Sequence, residues 1–384
     1  MSESGFNTAI REGVETGSPD VVVVGAGPAG MAAAITAAQV GLQVVVLEAT
    51  GGCHSRPGET LHPGVEPLFE QLGVAEAVRA ASFLRHNGIH VVWNGPARFV
   101  SYGGDADGPW RGFQAWRSTL DAILQDHAVR LGVRLHRRAR VTGLLYEAGR
   151  IVGVETASRL VRGRWLVDAA GSSHWLARQA GLPIARLSPR LLASYGYMQR
   201  PGGHAPWFEA DAEGWTWRAE VQPGLYQWTR LWFDSFRARN WIANQTQRKS
   251  RGADVTWRWV PDSAGPGYFL AGDAAAVLDP SSSHGVLRAL LGGMLAGHSI
   301  SRIASGLSSE SEACRHHRDS VRRWIEHDVR ELKTLYGALL NPPSWLACVP
   351  DPPWSQDSQG SIRRQQPAGF PSPDRAFPVQ SPRR

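Results

Sequence analysis

A glycine turn between two buried strands constrains the fold of this chain more than any other feature. The turn is Gly25-Ala26-Gly27-Pro28-Ala29-Gly30, which follows the apolar run 20–24 and opens an alanine-rich helix that ends at Gly41. A second apolar run, 43–47, comes next and leads into Glu48. A strand, a glycine turn, a helix and a strand within about 30 residues predict a βαβ unit of a parallel sheet.

The same turn is typical of a dinucleotide site. Gly25 permits the tight turn, and Gly27, followed by Pro28 and Ala29, lets a pyrophosphate approach the backbone and the helix N-terminus. Gly30 allows the helix to pack closely on the strand. Glu48 lies 18 residues after Gly30, where its carboxylate can accept hydrogen bonds from a ribose.

Two further motifs decide which dinucleotide is expected. The run Gly272-Asp273-Ala274-Ala275, with Pro280 after it, resembles a segment of FAD-dependent hydroxylases in which the aspartate holds the ribityl chain of the flavin. The run Asp168-Ala169-Ala170-Gly171, with Arg178 downstream, resembles the strand-turn motif that lies against the cofactor in the same class. The three motifs in this order predict FAD binding. The alternative for Asp273 is a plain helix cap.

Two arginines are weaker candidates for contact with the cofactor. Arg117 stands where such flavoproteins place an arginine near the cofactor phosphates, and its planar guanidinium suits a pyrophosphate. Arg56 and Glu59, in the glycine- and proline-rich loop 51–64, are candidates of the same kind. The alternative for Arg117 is an ordinary surface arginine.

The segment Asp279-Pro280-Ser281-Ser282-Ser283-His284-Gly285 carries the candidate chemistry. It precedes a helix rich in small residues, whose N-terminus, with Pro280 and Gly285, is expected to face the flavin ring. The helix dipole there would stabilise the negative charge of a reduced flavin. His284 and Ser283 would then lie near the reactive edge. The alternative for His284 is a cap or a hydrogen-bonded core histidine.

The pattern predicts an α/β fold in which a Rossmann-like FAD-binding domain is interleaved with a β-rich substrate domain and followed by C-terminal helices. The predicted segments are listed in chain order: disordered tail 1–19; FAD-binding domain 20–60, 105–182 and 262–305; substrate domain 61–104 and 183–261; helical segment 306–349; disordered tail 350–384. Eight of the 16 tryptophans fall between residues 207 and 259. Trp215 and Trp217 among them are expected to wall an aromatic pocket, with core packing as the alternative.

Composition excludes several classes of function. The net charge of +7 is spread out, without a basic run that would track nucleic acid. No apolar run is long enough to span a membrane, and the polar N-terminus carries no secretory signal. Three widely spaced cysteines form neither a disulfide framework nor a metal-ligand cluster, so no metal site is expected and a cytoplasmic location is predicted.

With these residues in hand, the chain resembles the flavin-dependent halogenase and monooxygenase superfamily over about residues 20–345. The loop Gly58-Glu59-Thr60 and the segment 279–285 resemble the flavin loops of tryptophan halogenases. Trp215-Thr216-Trp217 resembles their W-x-W-x-I-P motif, although Ala219-Glu220 replaces the Ile-Pro pair.

The departures bear on the reaction. Tryptophan halogenases need an active-site lysine, and the segment 83–93, where it would fall, offers Arg85, His86 and Asn87 instead. Ser282 replaces the glutamate of the halogenase loop. A narrower resemblance is to halogenase-like flavoproteins that hydroxylate tryptophan side chains while they mature quinone-cofactor enzymes.

The resemblance implies hydroxylation of an electron-rich, tryptophan- or indole-type aromatic substrate through a flavin C4a-hydroperoxide, with His284 or His86 as the proton donor. The substrate is expected to be an aromatic small molecule or an aromatic side chain of a peptide. Electrons would come from NAD(P)H directly or through a separate flavin reductase. Three alternatives stay open: a halogenase that uses another cation, an FAD reductase of isoprenoid double bonds, and an FAD-binding partner protein without turnover.

Overall fold

A computed structural model describes residues 18–52, 59–199, 203, 205–234, 251–282 and 284–350. Arg56, Ser283, Gly58 and all but the inner ends of the two predicted tails lie outside the described residues. The described chain is a mixed α/β structure with several sheets and C-terminal helices, which confirms the predicted fold class.

The helices of the described residues are, in chain order, α1 (Pro28–Ala38), α2 (Glu66–Gln71), α3 (Ala75–Ala80), α4 (Arg117–Arg130), α5 (Trp175–Gln179), α6 (Gly285–Ala304) and α7 (Glu310–Gly337). The strands are β1 (Val21–Val24), β2 (Val44–Glu48), β3 (Glu59–Leu61), β4 (Leu84–His86), β5 (Gly88–Val92), β6 (Arg98–Ser101), β7 (Gly104–Asp105), β8 (Gly108–Pro109), β9 (Gly112–Ala115), β10 (Arg134–Arg137), β11 (Val141–Glu147), β12 (Arg150–Thr156), β13 (Leu160–Arg162), β14 (Trp165–Asp168), β15 (Ala185–Arg186), β16 (Leu192–Gln199), β17 (Trp207–Asp211), β18 (Gly214–Gln222), β19 (Leu225–Trp232), β20 (Arg251–Asp254), β21 (Arg258–Trp259), β22 (Ala264–Gly265), β23 (Tyr268–Leu270) and β24 (Ala276–Val277).

A six-stranded sheet carries the glycine turn. Its order is β10-β2-β1-β14-β23-β22, and all its neighbours are parallel except β22 and β23. Val21 and Val23 of β1 pack into one hydrophobic core, whereas Val22 and Val24 pack into a second core on the opposite face. A sheet buried on both faces needs unbroken apolar strands, which explains the valine run of β1.

A seven-stranded sheet, β20-β16-β19-β18-β17-β5-β6, forms the second large layer. Its pairs are antiparallel except β17 with β5. Along β18, Trp215 and Trp217 share one buried face with Ala219. The strands of this sheet come from the segments predicted for the substrate domain, and those of the six-stranded sheet come from the segments predicted for FAD binding; the domain boundaries themselves stay a prediction.

Two local predictions need correction. The loop 51–64 contains strand β3, because Glu59–Leu61 pairs with Gly112–Ala115. The sequence pattern over 133–141 also predicts a single strand, but β10 ends at Arg137, since Arg138 has a positive φ of 58° that breaks the extended backbone.

Helices α1 and α6 pack unusually closely because their contact is built from small residues. A Cβ placed on Gly293 would lie 2.1 Å from the Ala29 carbonyl oxygen, and one on Gly297 would lie 2.9 Å from the Ala33 carbonyl oxygen. Helix α7 begins at a capping box, in which the Ser309 hydroxyl and the Glu312 carboxylate each accept from the backbone of the other residue. The contact between α1 and α6 places Ala29, at the N-terminal end of α1, against the middle of α6.

Candidate active site

The glycine turn joins β1 to α1 in a form that leaves space for a ligand. Gly25 has a φ of 98°, and a Cβ there would lie 2.5 Å from the Ala169 carbonyl oxygen. A Cβ on Gly30 would lie 1.9 Å from the Gly25 carbonyl oxygen. A Cβ on Gly27, by contrast, would meet nothing within 4 Å, so the open space of the turn lies beside Gly27, at the N-terminus of α1.

Glu48 closes one side of this turn. Its Oε2 accepts from the backbone N–H of Ala26 at 2.9 Å, and its Oε1 accepts from the N–H and hydroxyl of Thr50 at 2.9 and 2.6 Å. Gln125 of α4 donates to the Ala26 carbonyl oxygen at 3.0 Å. The carboxylate is therefore held at the carboxyl end of β2, next to the turn, which is where a ribose contact was predicted.

Asp168 acts on the loop that follows β14. Its two carboxylate oxygens accept from the backbone N–H groups of Ala170 and Leu176, each at 2.9 Å. Burial outweighs these bonds and raises the pKa of Asp168 to about 6. Gly171, at the tip of the loop, has a φ of 84°. Asp168 thus shapes the loop against which Gly25 packs, and its direct contact with a cofactor stays a prediction.

The Gly272–Ala274 turn meets the N-terminal end of α1. Gly272 has a φ of 61°, and a Cβ on it would lie 2.8 Å from the Cβ of Ala29. A Cβ on Gly292 of α6 would in turn lie 3.3 Å from the backbone nitrogen of Gly272. Three segments therefore approach one another closely here, with only the methyl group of Ala29 between Gly272 and α1.

Arg117 begins α4 and is buried beside Asp121. Its Nε and a terminal guanidinium nitrogen lie 3.3 and 3.2 Å from Asp121 Oδ1. The ion pair fixes the guanidinium in one orientation. Its predicted contact with cofactor phosphates stays a prediction.

A cavity of about 280 Å³ opens where the Gly272–Ala274 turn, the seven-stranded sheet and helices α6 and α7 meet. The predicted site residues that line it are Gly272, Asp273, Pro280, His284, Gly285, Trp215 and Trp217. Trp324 and Tyr195 add aromatic surface that was not predicted, and Thr60 and Thr229 add hydroxyl groups. The cavity is thus an aromatic chamber with one end at the N-terminus of α6.

Asp279 anchors the loop before α6 in a buried network. Its Oδ2 accepts from Trp257 Nε1 at 2.7 Å and from the Tyr336 hydroxyl at 2.9 Å, and its Oδ1 accepts from the N–H and hydroxyl of Ser281. The Tyr336 hydroxyl accepts in turn from Trp215 Nε1 at 2.7 Å. Burial raises the pKa of Asp279 despite these donors. The network fixes the wall formed by Trp215 relative to the loop that leads to His284.

His284 lies at the N-terminus of α6 and belongs to a row of packed rings. Its ring centroid is 5.9 Å from that of His62, which is 5.1 Å from Tyr102, which is 5.4 Å from His86. Burial and the nearby Arg288 lower the pKa of His284 to about 3, and burial lowers that of His86 to about 4. Both imidazoles are therefore neutral at pH 7. His86 lies at the far end of the row and does not line the cavity.

The cavity also contains a paired charge. Arg288 of α6 donates through Nε to Asp328 Oδ2 at 2.8 Å, and a second bond joins its guanidinium to Oδ1. Arg288 also lies 5.7 Å from the ring centroid of Trp324. The ion pair neutralises the charge of Arg288 within the lining, which also contains Asp273 and Asp279.

Known proteins share this architecture. Residues 18–191 match the family model described as an FAD binding domain. The flavin-dependent halogenase armH3 of Armillaria mellea is 27% identical over 79% of this chain and 71% of its own length. Two solved structures share the fold: the myxobacterial chondrochloren halogenase CndH, with a TM-score of 0.78 at 21% identity over 86% of this chain and 85% of its own, and the peptidyl tryptophan dihydroxylase QhpG, with a TM-score of 0.67 at 22% identity over 86% and 78%.

The chain is similar over most of its length to flavin-dependent halogenases, and residues 18–191 match an FAD binding domain.

These similarities confirm the predicted resemblance, and the match to an FAD binding domain supports the FAD cofactor and the assignment to FAD-dependent oxidoreductases. The residues present also fit the cofactor, because Gly27 leaves open space at the N-terminus of α1 and Gly272 lets the Gly272–Ala274 turn approach that helix closely. No helix within the described ranges has both the length and the apolar character needed to cross a membrane. A cytoplasmic location stays a prediction.

The superfamily resemblance directs attention to the segment 83–93. Arg85 donates to the carbonyl oxygens of Arg111 and Gly112 at 2.8 and 3.0 Å and lies 3.7 Å from the ring centroid of Phe113. No lysine lines the cavity among the residues that the structure describes. Lys333 donates to the Val349 carbonyl oxygen at 3.1 Å, and Lys249 lies outside the described residues.

Sequence reasoning missed the contribution of α7 to the cavity. Val321, Trp324, Ile325 and Asp328 all line it from one helix face, at spacings of three, four and seven residues from Val321. An aspartate within an apolar helical stripe was the available signal, because such a carboxylate needs a buried partner. That partner, Arg288, also went unpredicted.

Proposed function

We propose that this chain is an FAD-dependent monooxygenase that hydroxylates an electron-rich aromatic ring, with an indole or tryptophan side chain as the expected substrate. The observation that carries the proposal is the aromatic cavity at the N-terminus of α6, walled by Trp215, Trp217 and Trp324. These aromatic side chains favour a planar aromatic substrate, because aromatic rings pack favourably against one another. The reaction transfers one oxygen atom of O2 to the ring and reduces the other to water with two electrons and two protons.

FAD supplies the chemistry of oxygen activation when it is bound, after reduction by NAD(P)H directly or through a separate flavin reductase. The glycine turn and the Gly272–Ala274 turn would hold its phosphates and ribityl chain. The N-terminus of α6 would stabilise negative charge that develops near the cavity. The Trp215 and Trp217 side chains would orient the substrate and exclude water.

His284 would take part in proton transfer at the end of the cavity where the reaction occurs. Because its pKa is about 3, it holds no spare proton at pH 7. It can deliver a proton only if it accepts one at its other ring nitrogen, so we propose a relay rather than a charged acid. His62 is the adjacent ring of this relay, and its Nδ1 accepts from the Gly64 N–H at 3.0 Å, which leaves its proton on Nε2.

The test uses the full chain reconstituted with FAD and reduced by dithionite or by a flavin reductase. The protein is mixed with isotopically labelled O2 and with L-tryptophan, N-acetyltryptophanamide or a tryptophan-containing peptide, with and without chloride or bromide. A product that has gained one labelled oxygen atom in the absence of halide supports the proposal. An oxygen-independent saturation of an isoprenoid double bond overturns it in favour of a reductase, and failure to oxidise any aromatic compound favours a non-catalytic FAD-binding protein.

A halogenase is the second candidate, because the curated relative armH3 carries that activity in its name. It is favoured if product formation requires halide and the product contains it. Lys249 is then the residue to vary, since it and Lys333 are the only lysines of the chain. If Lys249→Met loses halogenation while Lys333→Met stays active, Lys249 supplies the cation that tryptophan halogenases take from their active-site lysine.

A further inference from the structure

His174 is a buried histidine that none of the predicted cofactor contacts includes. It directly precedes α5, is 0% exposed, and has a left-handed backbone with φ 49° and ψ 50°. Its Nδ1 lies 2.9 Å from the Ala274 carbonyl oxygen, and its Nε2 lies 3.0 Å from Arg258 Nε. A carbonyl oxygen only accepts and a guanidinium only donates, so His174 is neutral with its proton on Nδ1.

Arg258 of β21 contacts two segments of the chain, 172–174 and 254–256. Besides His174, it donates to the Ser172 carbonyl oxygen at 3.0 Å, to the Thr256 carbonyl oxygen at 2.9 Å and to Asp254 Oδ1 at 3.2 Å. The backbone of β21 also pairs with β24, directly after the Gly272–Ala274 turn. Arg258 therefore has a fixed position relative to that turn.

These contacts connect the two sides of the cavity. Ala253, beside Asp254, lines the cavity from the seven-stranded sheet, and Asp273, beside Ala274, lines it from the opposite side. The path from one to the other runs through Asp254, Arg258, His174 and Ala274. It also includes the loop 168–174, against which Gly25 packs.

We propose that His174 and Arg258 form a positioning pair that holds the Gly272–Ala274 turn against the loop 168–174 and thereby sets the affinity for FAD. Neither residue needs to touch the cofactor. The pair acts on backbone that the cofactor contacts, and its geometry requires neutral His174. This inference rests on the assignment of the Gly272–Ala274 turn to FAD, and it holds whether the reaction is hydroxylation or halogenation.

The pair should also make FAD binding sensitive to acid. A proton on Nε2 of His174 would remove the acceptor for Arg258 and place two cations in contact. The charged groups that face His174 are Arg258 and Arg178, while Arg258 itself faces Asp254, Asp273 and Arg186. Burial and the two arginines lower the pKa of His174. FAD retention should therefore decline only as the pH falls below the ordinary histidine range.

The first experiment compares His174→Asn, Arg258→Lys and the double variant with the unaltered chain. Asparagine tolerates the left-handed backbone but is too short to keep both bonds, and lysine keeps the charge without the planar fork. The dissociation constant of FAD is measured by the fluorescence of released flavin, and the melting temperature of the apoprotein is measured separately. His316→Asn, an exposed position on α7, is the matched control.

We expect each single variant to weaken FAD binding about tenfold, with the double variant no worse than the stronger single effect. In the unaltered chain, FAD release should accelerate only as the pH falls below 6.5, and His174→Asn should flatten this dependence. Unchanged FAD affinity in His174→Asn overturns the proposal, and so do additive effects or an unaltered pH dependence.

A second variant separates this proposal from its premise. If Asp273→Asn leaves FAD affinity unchanged, the assignment of the Gly272–Ala274 turn to the cofactor fails, and the proposed pair fails with it. If Asp273→Asn weakens FAD binding while His174→Asn does not, the assignment stands and the positioning pair is wrong. Neither result depends on which aromatic substrate the enzyme uses.

Discussion

At the scale of single residues, the glycines of the first turn are required for different physical reasons. Gly30 has no room for a Cβ because the Gly25 carbonyl oxygen occupies that space, whereas Gly27 has room that no part of the protein fills. The first is therefore required by the fold. The second is required only if a ligand lies there.

This difference gives a prediction for Gly27→Ala. Its φ of −79° suits alanine, and the new methyl group meets no protein atom, so the apoprotein should keep its free energy of unfolding within about 0.5 kcal/mol. FAD affinity should fall at least about tenfold, because the methyl group occupies the approach of the pyrophosphate. Chemical denaturation and flavin fluorescence measure the two quantities.

Gly30→Ala is the contrasting variant. Its methyl group would collide with backbone, so the apoprotein itself should lose about 3 kcal/mol or more of stability. Equal FAD affinity in Gly27→Ala and the unaltered chain would contradict the placement of the pyrophosphate at Gly27.

His86 gives a prediction about pH. Its ordinary pKa is 6.5, and burial lowers it to about 4 in the folded chain, where Nδ1 lies 3.2 Å from the Gly88 carbonyl oxygen. At pH 7 both the folded and the unfolded chain hold His86 neutral. As the pH falls below 6.5, His86 is protonated in the unfolded chain but stays neutral in the folded chain. The free energy of unfolding therefore decreases progressively down to about pH 4.

The measurement compares the free energy of unfolding at pH 7 and pH 5 in the unaltered chain and in His86→Gln. The unaltered chain should lose about 2 kcal/mol more than the variant over this range. The variant is expected to be less stable at both pH values, because Gln cannot reproduce the imidazole packing against Tyr102. Parallel pH dependences in the two proteins would show that His86 titrates normally.

At the scale of elements, the contact between α1 and α6 places the N-terminal end of α1 against the middle of α6. Gly293 and Gly297 permit this contact because they have no side chain on the face toward α1. The positive end of the α1 dipole lies beside the open space at Gly27, where it favours anionic groups. Separation of the helices by even one methyl group should disturb the fold and the site together.

Gly293→Ala tests this contact. Its Cβ would lie 2.1 Å from the Ala29 carbonyl oxygen, so we expect a loss of about 3 kcal/mol or more in the free energy of unfolding and weaker FAD binding. Gly337→Ala is the matched control, because it lies at the end of α7 and a Cβ there meets nothing within 4 Å. The control should be neutral or more stable by up to about 1 kcal/mol. Denaturant titration of both apoproteins distinguishes the two cases.

The elements also show what sequence patterns can and cannot reveal. The βαβ unit and helices α4, α6 and α7 were predictable, because each depends on local periodicity, glycine turns and caps. Residues such as Tyr336 and His174 were not, since their roles arise from partners 57 and 100 residues away in the sequence. The aromatic character of Trp215 was visible, but whether it faced a cavity or only a core depended on the placement of α7.

At the scale of the whole molecule, one buried network ties distant parts of the chain into a single structure. Tyr336 of α7 stacks with Trp257 at 5.9 Å and with Trp93 at 6.2 Å between ring centroids, and it bonds to both Asp279 and Trp215. These partners come from β18 of the seven-stranded sheet, from the residues directly after β5 and directly before β21, and from the loop before α6. A change at Tyr336 should therefore reach both global stability and the cavity wall.

Tyr336→Phe makes this prediction testable. The variant keeps the stacked ring but leaves the Trp215 indole N–H without its acceptor and removes one donor from Asp279. Because both groups are buried, we expect a loss of about 1–3 kcal/mol in the free energy of unfolding. The exposed Tyr146→Phe is the matched control and should change it by less than about 0.5 kcal/mol. If Trp215 walls the substrate site, Tyr336→Phe should also raise the KM for the aromatic substrate more than it lowers kcat. A loss of stability without any change in KM would show that Trp215 serves the core alone.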